Sequence, residues 1–207
     1  MPFADEQARR LAIAAYDPTW PSEFCSLAVR IGAILAPVAE HIDHVGSTAV
    51  PGLAAKDCID IQIRVPRLNE EMIAPPFAEL GFRLRPEPWN HIEITAGRQW
   101  PKLVFAPPVG ERAANVHVRE TSSATARRNL LFRDFLRADR TARHAWTTFK
   151  QRLAQVVTNL ADYGQLKQAP TEILMIAAED WARRTKWTPP AAPAEIYSDA
   201  HAAQFGP

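Results

Sequence analysis

An α+β domain is the fold class this sequence predicts, and three observations carry it. Strand-like runs cluster between residues 42 and 119, helical periodicity takes over from residue 124, and 47% of the 207 residues are hydrophobic. A chain of that length and composition supports one buried core, and strands followed by helices point to an α+β layering rather than an alternating one. Residues 1–15 read as a flexible leader. A single domain is expected over 16–186, with 124–186 as its helical C-terminal part and 187–207 as a disordered proline- and alanine-rich tail.

Each element has a local cause. Tyr16-Asp17-Pro18-Thr19-Trp20-Pro21 forms an aromatic and proline turn in which Asp17, Thr19 or Ser22 can cap a helix and Pro21 suits its first turn. The helix is expected over 21–40, with Phe24, Leu27, Ile31, Ile34 and Leu35 at helical spacing and Pro37 ending or kinking it. Residues 42–45 read as a short strand. Residues 58–65 have the near-continuous, β-branched apolar character of a buried strand, with Asp60, Gln62 and Arg64 sharing its second face. A second helix over 69–80 stops at Gly81. Shorter strands follow at 82–85, 91–95, 103–105 and 115–119, punctuated by proline and glycine. Three helices are expected over 124–138, 139–160 and 169–185.

The formal net charge of +1 gives no global field for nucleic acid, so anion affinity must come from a local cluster. No apolar run approaches the roughly 18 residues of a membrane span, and no secretory leader is evident. Two cysteines, Cys25 and Cys58, provide neither a disulfide framework nor a zinc set, and Cys58 reads as a core residue. The expectation is a cytoplasmic protein with no membrane partner.

The functional signal lies between His44 and Ile63. A Gly46-Ser47 turn offers backbone N–H groups and a hydroxyl, Lys56 adds a positive charge, and Asp60 aims a carboxylate from a rigid strand. Gly46, Ser47 and Lys56 are therefore candidate phosphate-binding residues. Asp60 is a candidate catalytic and metal-binding residue; the competing reading is an internal ion pair with Arg133 or another cation. His44 and His117 are potential ligands or proton carriers, although a lone strand histidine is more often structural. Arg133, in Phe132-Arg133-Asp134-Phe135-Leu136-Arg137, could grip a phosphate with its planar fork or simply pack against sheet carboxylates. Lys150 and Lys167 are cations that neighbouring helices could add to the same pocket. Among six tryptophans, one near the turn could stack on a base.

With these residues in view, the chain resembles the GrpB-like proteins, which are similar to the nucleotidyltransferase superfamily and to a domain fused behind dephospho-CoA kinases. The resemblance covers roughly residues 15–185. It rests on Tyr16-Asp17-Pro18-Thr19-Trp20, the Gly-Ser block with Lys56 and Asp60, Asn115-Val116-His117-Val118, residues 131–137, and Tyr163 with Lys167. It implies a nucleotidyltransferase-like mixed sheet with flanking helices. In that superfamily two strand carboxylates hold Mg²⁺ and a third acid activates the acceptor. Asp60 matches the first; the second falls on Gln62, a neutral candidate metal ligand, and His117 stands where the third acid is sought, with Glu93 or Glu120 as alternatives. The implied function is binding of a nucleotide or phosphorylated small molecule, with Mg²⁺-dependent nucleotidyl transfer if active. The alternative is a non-catalytic, coenzyme A-related phosphometabolite-binding module.

Overall fold

The structure is a computed structural model and describes residues 3–7, 11–95, 97–157 and 159–190. Its centre is a six-stranded mixed sheet built from β1 (His41–Val45), β2 (Ile59–Val65), β3 (Arg83–Leu84), β4 (Ile92–Thr95), β5 (Arg98–Ala106) and β6 (Ala114–Glu120). The strand order is β1-β2-β6-β5-β3, and β4 pairs with the outer part of β5. Only the β2–β6 pair is parallel; β1–β2, β5–β6, β3–β5 and β4–β5 are antiparallel.

One face of the sheet is apolar for a reason visible in β2. Ile59, Ile61, Ile63 and Val65 alternate with polar residues, so the strand's period of two sends all four to one side. There they meet Phe24, Leu27, Ile31 and Leu35 of α2 (Trp20–Leu35) and Ile73 and Phe77 of α3 (Glu70–Glu79), forming the principal core. Helix α2 stops at Leu35, two residues before Pro37, and α3 runs into Gly81 at φ +76°.

The opposite face is polar and buried beneath the C-terminal helices. The parallel register sets Asp60 beside Asn115, Gln62 beside His117 and Arg64 beside Arg119. Such groups must find partners once removed from water. Arg64 donates from Nε to Asp43 at 2.7 Å, both side chains only 5% exposed. Arg119 donates to Glu93 at 2.7 and 2.8 Å and to Gln62 Oε1 at 3.2 Å. Removing one partner of a buried pair strands the other charge, so Asp43→Ala is expected to cost about 3–5 kcal/mol in denaturant unfolding.

Among the described residues four C-terminal helices follow, where three were expected: α4 (Ala124–Ala138), α5 (Arg140–Val156), α6 (Leu160–Leu166) and α7 (Gln168–Thr185), of which α4 packs on the sheet and carries α5 and α7. The continuous helix expected over 139–160 ends at Val156, and α6 begins afresh with Asn159 accepting from the Asp162 N–H at 2.9 Å. A second apolar cluster of Leu131, Phe135 and Leu136 from α4, Trp146 from α5 and Met175 and Ala178 from α7 closes over Val50 and Leu53. The turn after β1 is thereby clamped from above.

Both ends of the chain make contacts that the sequence did not suggest. Within the expected leader, α1 (Ala4–Gln7) is tied to the sheet by Asp5–Arg83 at 2.7 Å and Glu6–Arg85 at 2.9 Å, and Ala14 bridges to Ala55. Arginines on β3 and just beyond it supply the charges that hold it. At the other end, Trp187 Nε1 donates to Asp134 at 3.1 Å and the Pro190 carbonyl accepts from Arg64 at 3.1 Å. Residues 191–207 of the expected tail lie outside the described residues. Among the described residues, no helix is long and apolar enough to cross a membrane.

Candidate functional site: a lysine-lined cavity beside the Gly-Ser turn

Strand β1 ends at Val45, opposite Asp60, and the chain turns back on Gly46 at φ +70°. That conformation suits glycine. Contact with β2 demands it as well: a Cβ at position 46 would lie 2.9 Å from the Asp60 Cβ, with Oδ2 closer still. The turn therefore sits directly on the Asp60 carboxylate. Ser47 follows and faces a cavity of about 170 Å³, whose wall also includes Lys56, Asp60, Asn115, Lys150, Tyr163 and Lys167.

Three ammonium groups from three elements converge here. Lys56 comes from the link between the turn and β2, Lys150 from α5 and Lys167 from the α6–α7 junction. Lys150 is 2% exposed; its Nζ donates to Ser47 Oγ at 2.9 Å and to the Ala54 carbonyl. Burial pushes its pKa down to about 7, the Lys167 charge pushes the same way, and Asp60 works in opposition. Lys167 lies near the Tyr163 ring, Nζ 5.5 Å from its centroid. Burial lowers its pKa too, Asp60 opposing and Lys56 assisting. Burial raises the Tyr163 hydroxyl to about 12, leaving a neutral group. The cavity thus concentrates positive charge in a setting that lacks enough carboxylate to neutralise it.

Asp60 is its one carboxylate among the described residues. Oδ1 accepts from Asn115 Nδ2 at 3.0 Å. Among the described residues no arginine locks it, and the ion pair with Arg133 considered from the sequence is not formed. The Cys58 thiol at the same rim accepts from Asn115 Nδ2 at 3.5 Å, and burial, reinforced by Asp60, raises its pKa to about 12. It is not a nucleophile at neutral pH.

The remaining sequence candidates lie elsewhere. Arg133 is not at the cavity: it donates to its neighbour Asp134 at 2.7 and 3.2 Å and to the His44 carbonyl at 3.0 Å, bracing the turn from α4. The guanidinium is taken by the Asp134 carboxylate and the β1 carbonyl of His44 before it can reach the cavity. Gln62 is not placed as a metal ligand. Its Nε2 donates to the Ala126 carbonyl at 3.1 Å and its Oε1 accepts from Arg119, so both ends of the amide are committed. His117 is not beside Asp60. The register carries it one step inward to Gln62, where Nδ1 lies 3.5 Å from Arg119 Nη2. Burial, then Arg119 and Lys102, push its pKa well below the ordinary value. Glu93 is not a free third acid either. Burial favours its protonation, but Arg119 and Lys102 outweigh this and hold it far down as a carboxylate. His44 stacks on Phe24 with centroids 4.7 Å apart and meets Thr48 Oγ1 at 3.0 Å, and burial drops its pKa to about 3. No tryptophan lines the cavity among the described residues.

Magnesium does not fit this set. It needs hard, anionic oxygens, and the cavity offers one carboxylate against three ammonium groups. Among the described residues, no group of three His, Cys, Asp or Glu could hold a metal ion. Gln62→Asp is expected to leave Mg²⁺ affinity unchanged, because position 62 faces Arg119 and the Ala126 carbonyl; titration calorimetry with Mg²⁺ would check this.

Asn115, which the sequence offered only within a family block, connects the site's parts. Its significance depends on register, and one sequence does not give register. The helix carrying Tyr163 has a local start signal in the sequence, Asn159, whose side chain accepts from the Asp162 N–H.

Residues 10–175 match the family model described as GrpB protein. A UPF0157 protein of Halalkalibacterium halodurans is 35% identical over 149 residues, 70% of this chain and 70% of that protein. A dephospho-CoA kinase of Mycolicibacterium paratuberculosis is 31% identical over 215 residues, covering 91% of this chain. The chain spans about half of that kinase, 52% of its length. The crystal structure of a conserved protein GrpB from Enterococcus faecalis superposes with a TM-score of 0.69 at 24% identity, covering 82% of this chain and 99% of that one, a likeness of fold.

Proposed function

The chain belongs to the GrpB family, and from that premise we propose that it binds a phosphorylated small molecule in the lysine-lined cavity without a metal ion. One observation carries the reading. Lys150, Lys167 and Lys56 surround a concave space beside the Ser47 hydroxyl, and Lys150 holds Ser47 through its ammonium group rather than meeting a carboxylate. A buried cation such as Lys150 is a cost in the free protein and becomes favourable when an anion enters. A phosphate dianion would accept from the three ammonium groups and the serine hydroxyl. The similarity to a stretch of dephospho-CoA kinases makes coenzyme A-related phosphometabolites the first class to screen, with nucleotides second.

Mg²⁺-dependent nucleotidyl transfer is the competing reading, and Asp60 facing the cavity beside Ser47 is what favours it. It lacks a second carboxylate, since the amide of Gln62 is bonded to Arg119 and Ala126. Thermal shift separates the two readings, because a ligand that binds only the folded form raises the midpoint. Phosphate monoesters and nucleotides are expected to raise it equally in EDTA and in Mg²⁺. A rise confined to Mg²⁺ would favour transfer, and no rise with any ester would remove the binding reading.

A further inference from the structure

A second, larger cavity of about 520 Å³ adjoins the first, and Lys56, Cys58 and Asn115 line both. From this arrangement we infer that the ligand is a phosphate monoester with a large uncharged body: the phosphate sits among the lysines and the body extends past Asn115 into the larger cavity. The inference rests on the phosphate-binding reading and specifies what the phosphate is attached to.

The size and the charges of the larger cavity support it. Ligand pockets commonly span roughly 300–1,000 Å³, whereas the small cavity alone has room for little beyond the anion. The larger wall contains many charged side chains, yet these are already matched. Glu6 accepts from Arg85 at 2.9 Å, Arg112 bridges Glu23 at 2.8 Å and Asp57, and Glu111 pairs with Arg30 at 2.9 Å. Lys56, at the junction, is the one cation of that wall with no acid partner among the described residues. A charged body would have to break one of these pairs; a neutral one would not. Leu11, Ala12 and Leu160 add apolar surface on the same wall.

Asn115 fits a junction. Its Nδ2 reaches Asp60 in the small cavity, and its Oδ1 accepts from Arg85 of the large one at 3.1 Å. The polar end and the body of one ligand would thus be registered by a single side chain, itself fixed by the β2–β6 pairing.

The test compares four probes by titration calorimetry in EDTA: inorganic phosphate, glycerol 3-phosphate, adenosine 5′-monophosphate and 4′-phosphopantetheine. At least one of the two bulky esters is expected to bind roughly tenfold or more tightly than glycerol 3-phosphate. Leu160→Trp and, separately, Ala12→Trp narrow the larger cavity from half-buried and exposed positions that can accept a large side chain. Each is expected to erase that advantage and leave inorganic phosphate within about twofold of its wild-type affinity. If phosphate and all esters bind alike and neither substitution distinguishes them, the second cavity is not a body site, while the phosphate-binding reading stands. If no probe binds, both fall together.

Discussion

Lys150→Met is expected to weaken binding of a phosphate monoester by roughly 10- to 100-fold at pH 7, the loss of one charge-assisted hydrogen bond in a water-poor site. Methionine has a similar reach, so the fold of α5 over the turn should survive. The substitution removes the ammonium that holds Ser47 at 2.9 Å, and with it a direct partner for the anion. The same change has a second signature, in stability against pH. The folded-state pKa of Lys150 is about 7 and its ordinary value is 10.5. Between those values the unfolded chain binds more protons than the folded one, so stability rises with pH across that window. Below pH 7 both states are protonated and the penalty of the buried ammonium is fully present. Lys167, Lys56 and Asp60 face the same cavity, and Lys167 adds a change of the same sign. The wild type is expected to gain on the order of 3 kcal/mol from Lys150 between pH 7 and 10.5. Denaturant unfolding at the two limits should show that portion missing from Lys150→Met. Ligand affinity must run the other way, falling as pH rises above 7, because an anion needs the charge that folding disfavours.

Gly46→Ala is the second large effect expected. Two costs combine at this position. Alanine at φ +70° is strained by about 1–2 kcal/mol. Its Cβ would also lie 2.9 Å from the Asp60 Cβ, an atom fixed by the β2 backbone and unable to swing aside. The turn must lift off the strand, and its clamp of Val50, Leu53 and Arg137, whose Nε donates to the Ala49 carbonyl at 2.9 Å, resists that movement. The expected loss is about 2–4 kcal/mol in denaturant unfolding, with Ser47 displaced from Lys150 and ester binding lost. Gly52→Ala is the control. It has φ +77° with nothing within 4 Å of the added Cβ, so it should show the backbone strain alone and keep binding. Equal losses at the two glycines would mean that Asp60 does not pack against the turn.

Much of the architecture was legible because period and punctuation agreed locally. The alternation Ile59-Asp60-Ile61-Gln62-Ile63 gave β2 and its two faces, and Pro37 and Gly81 gave the ends of α2 and α3. That Ser47, Lys56 and Asp60 share one site was legible from their closeness in the sequence, and the structure places them with Lys150 around one cavity. What could not be read depends on register and on competition among partners. Gln62 and His117 have the right parity to reach the site, but the β2–β6 pairing places them together one step inward, where Arg119 takes the amide. Arg133 has the right chemistry for phosphate and is held by Asp134 and the His44 carbonyl, partners that a helical wheel does not reveal. The larger cavity was invisible for a different reason: its wall joins residues 6, 12, 85, 112 and 160, which no local pattern connects.

An entering phosphate should bring a proton onto Lys150, which burial leaves only partly charged at neutral pH in the free protein. Titration calorimetry at pH 8 in EDTA, repeated in buffers of different ionisation enthalpy, measures this directly. At that pH a phosphate monoester is already a dianion, so proton uptake reports on the protein. Saturable binding with uptake approaching one proton per ligand is the expected result, greatly reduced in Lys150→Met. Binding without proton uptake, or no binding until Mg²⁺ is supplied, would contradict it.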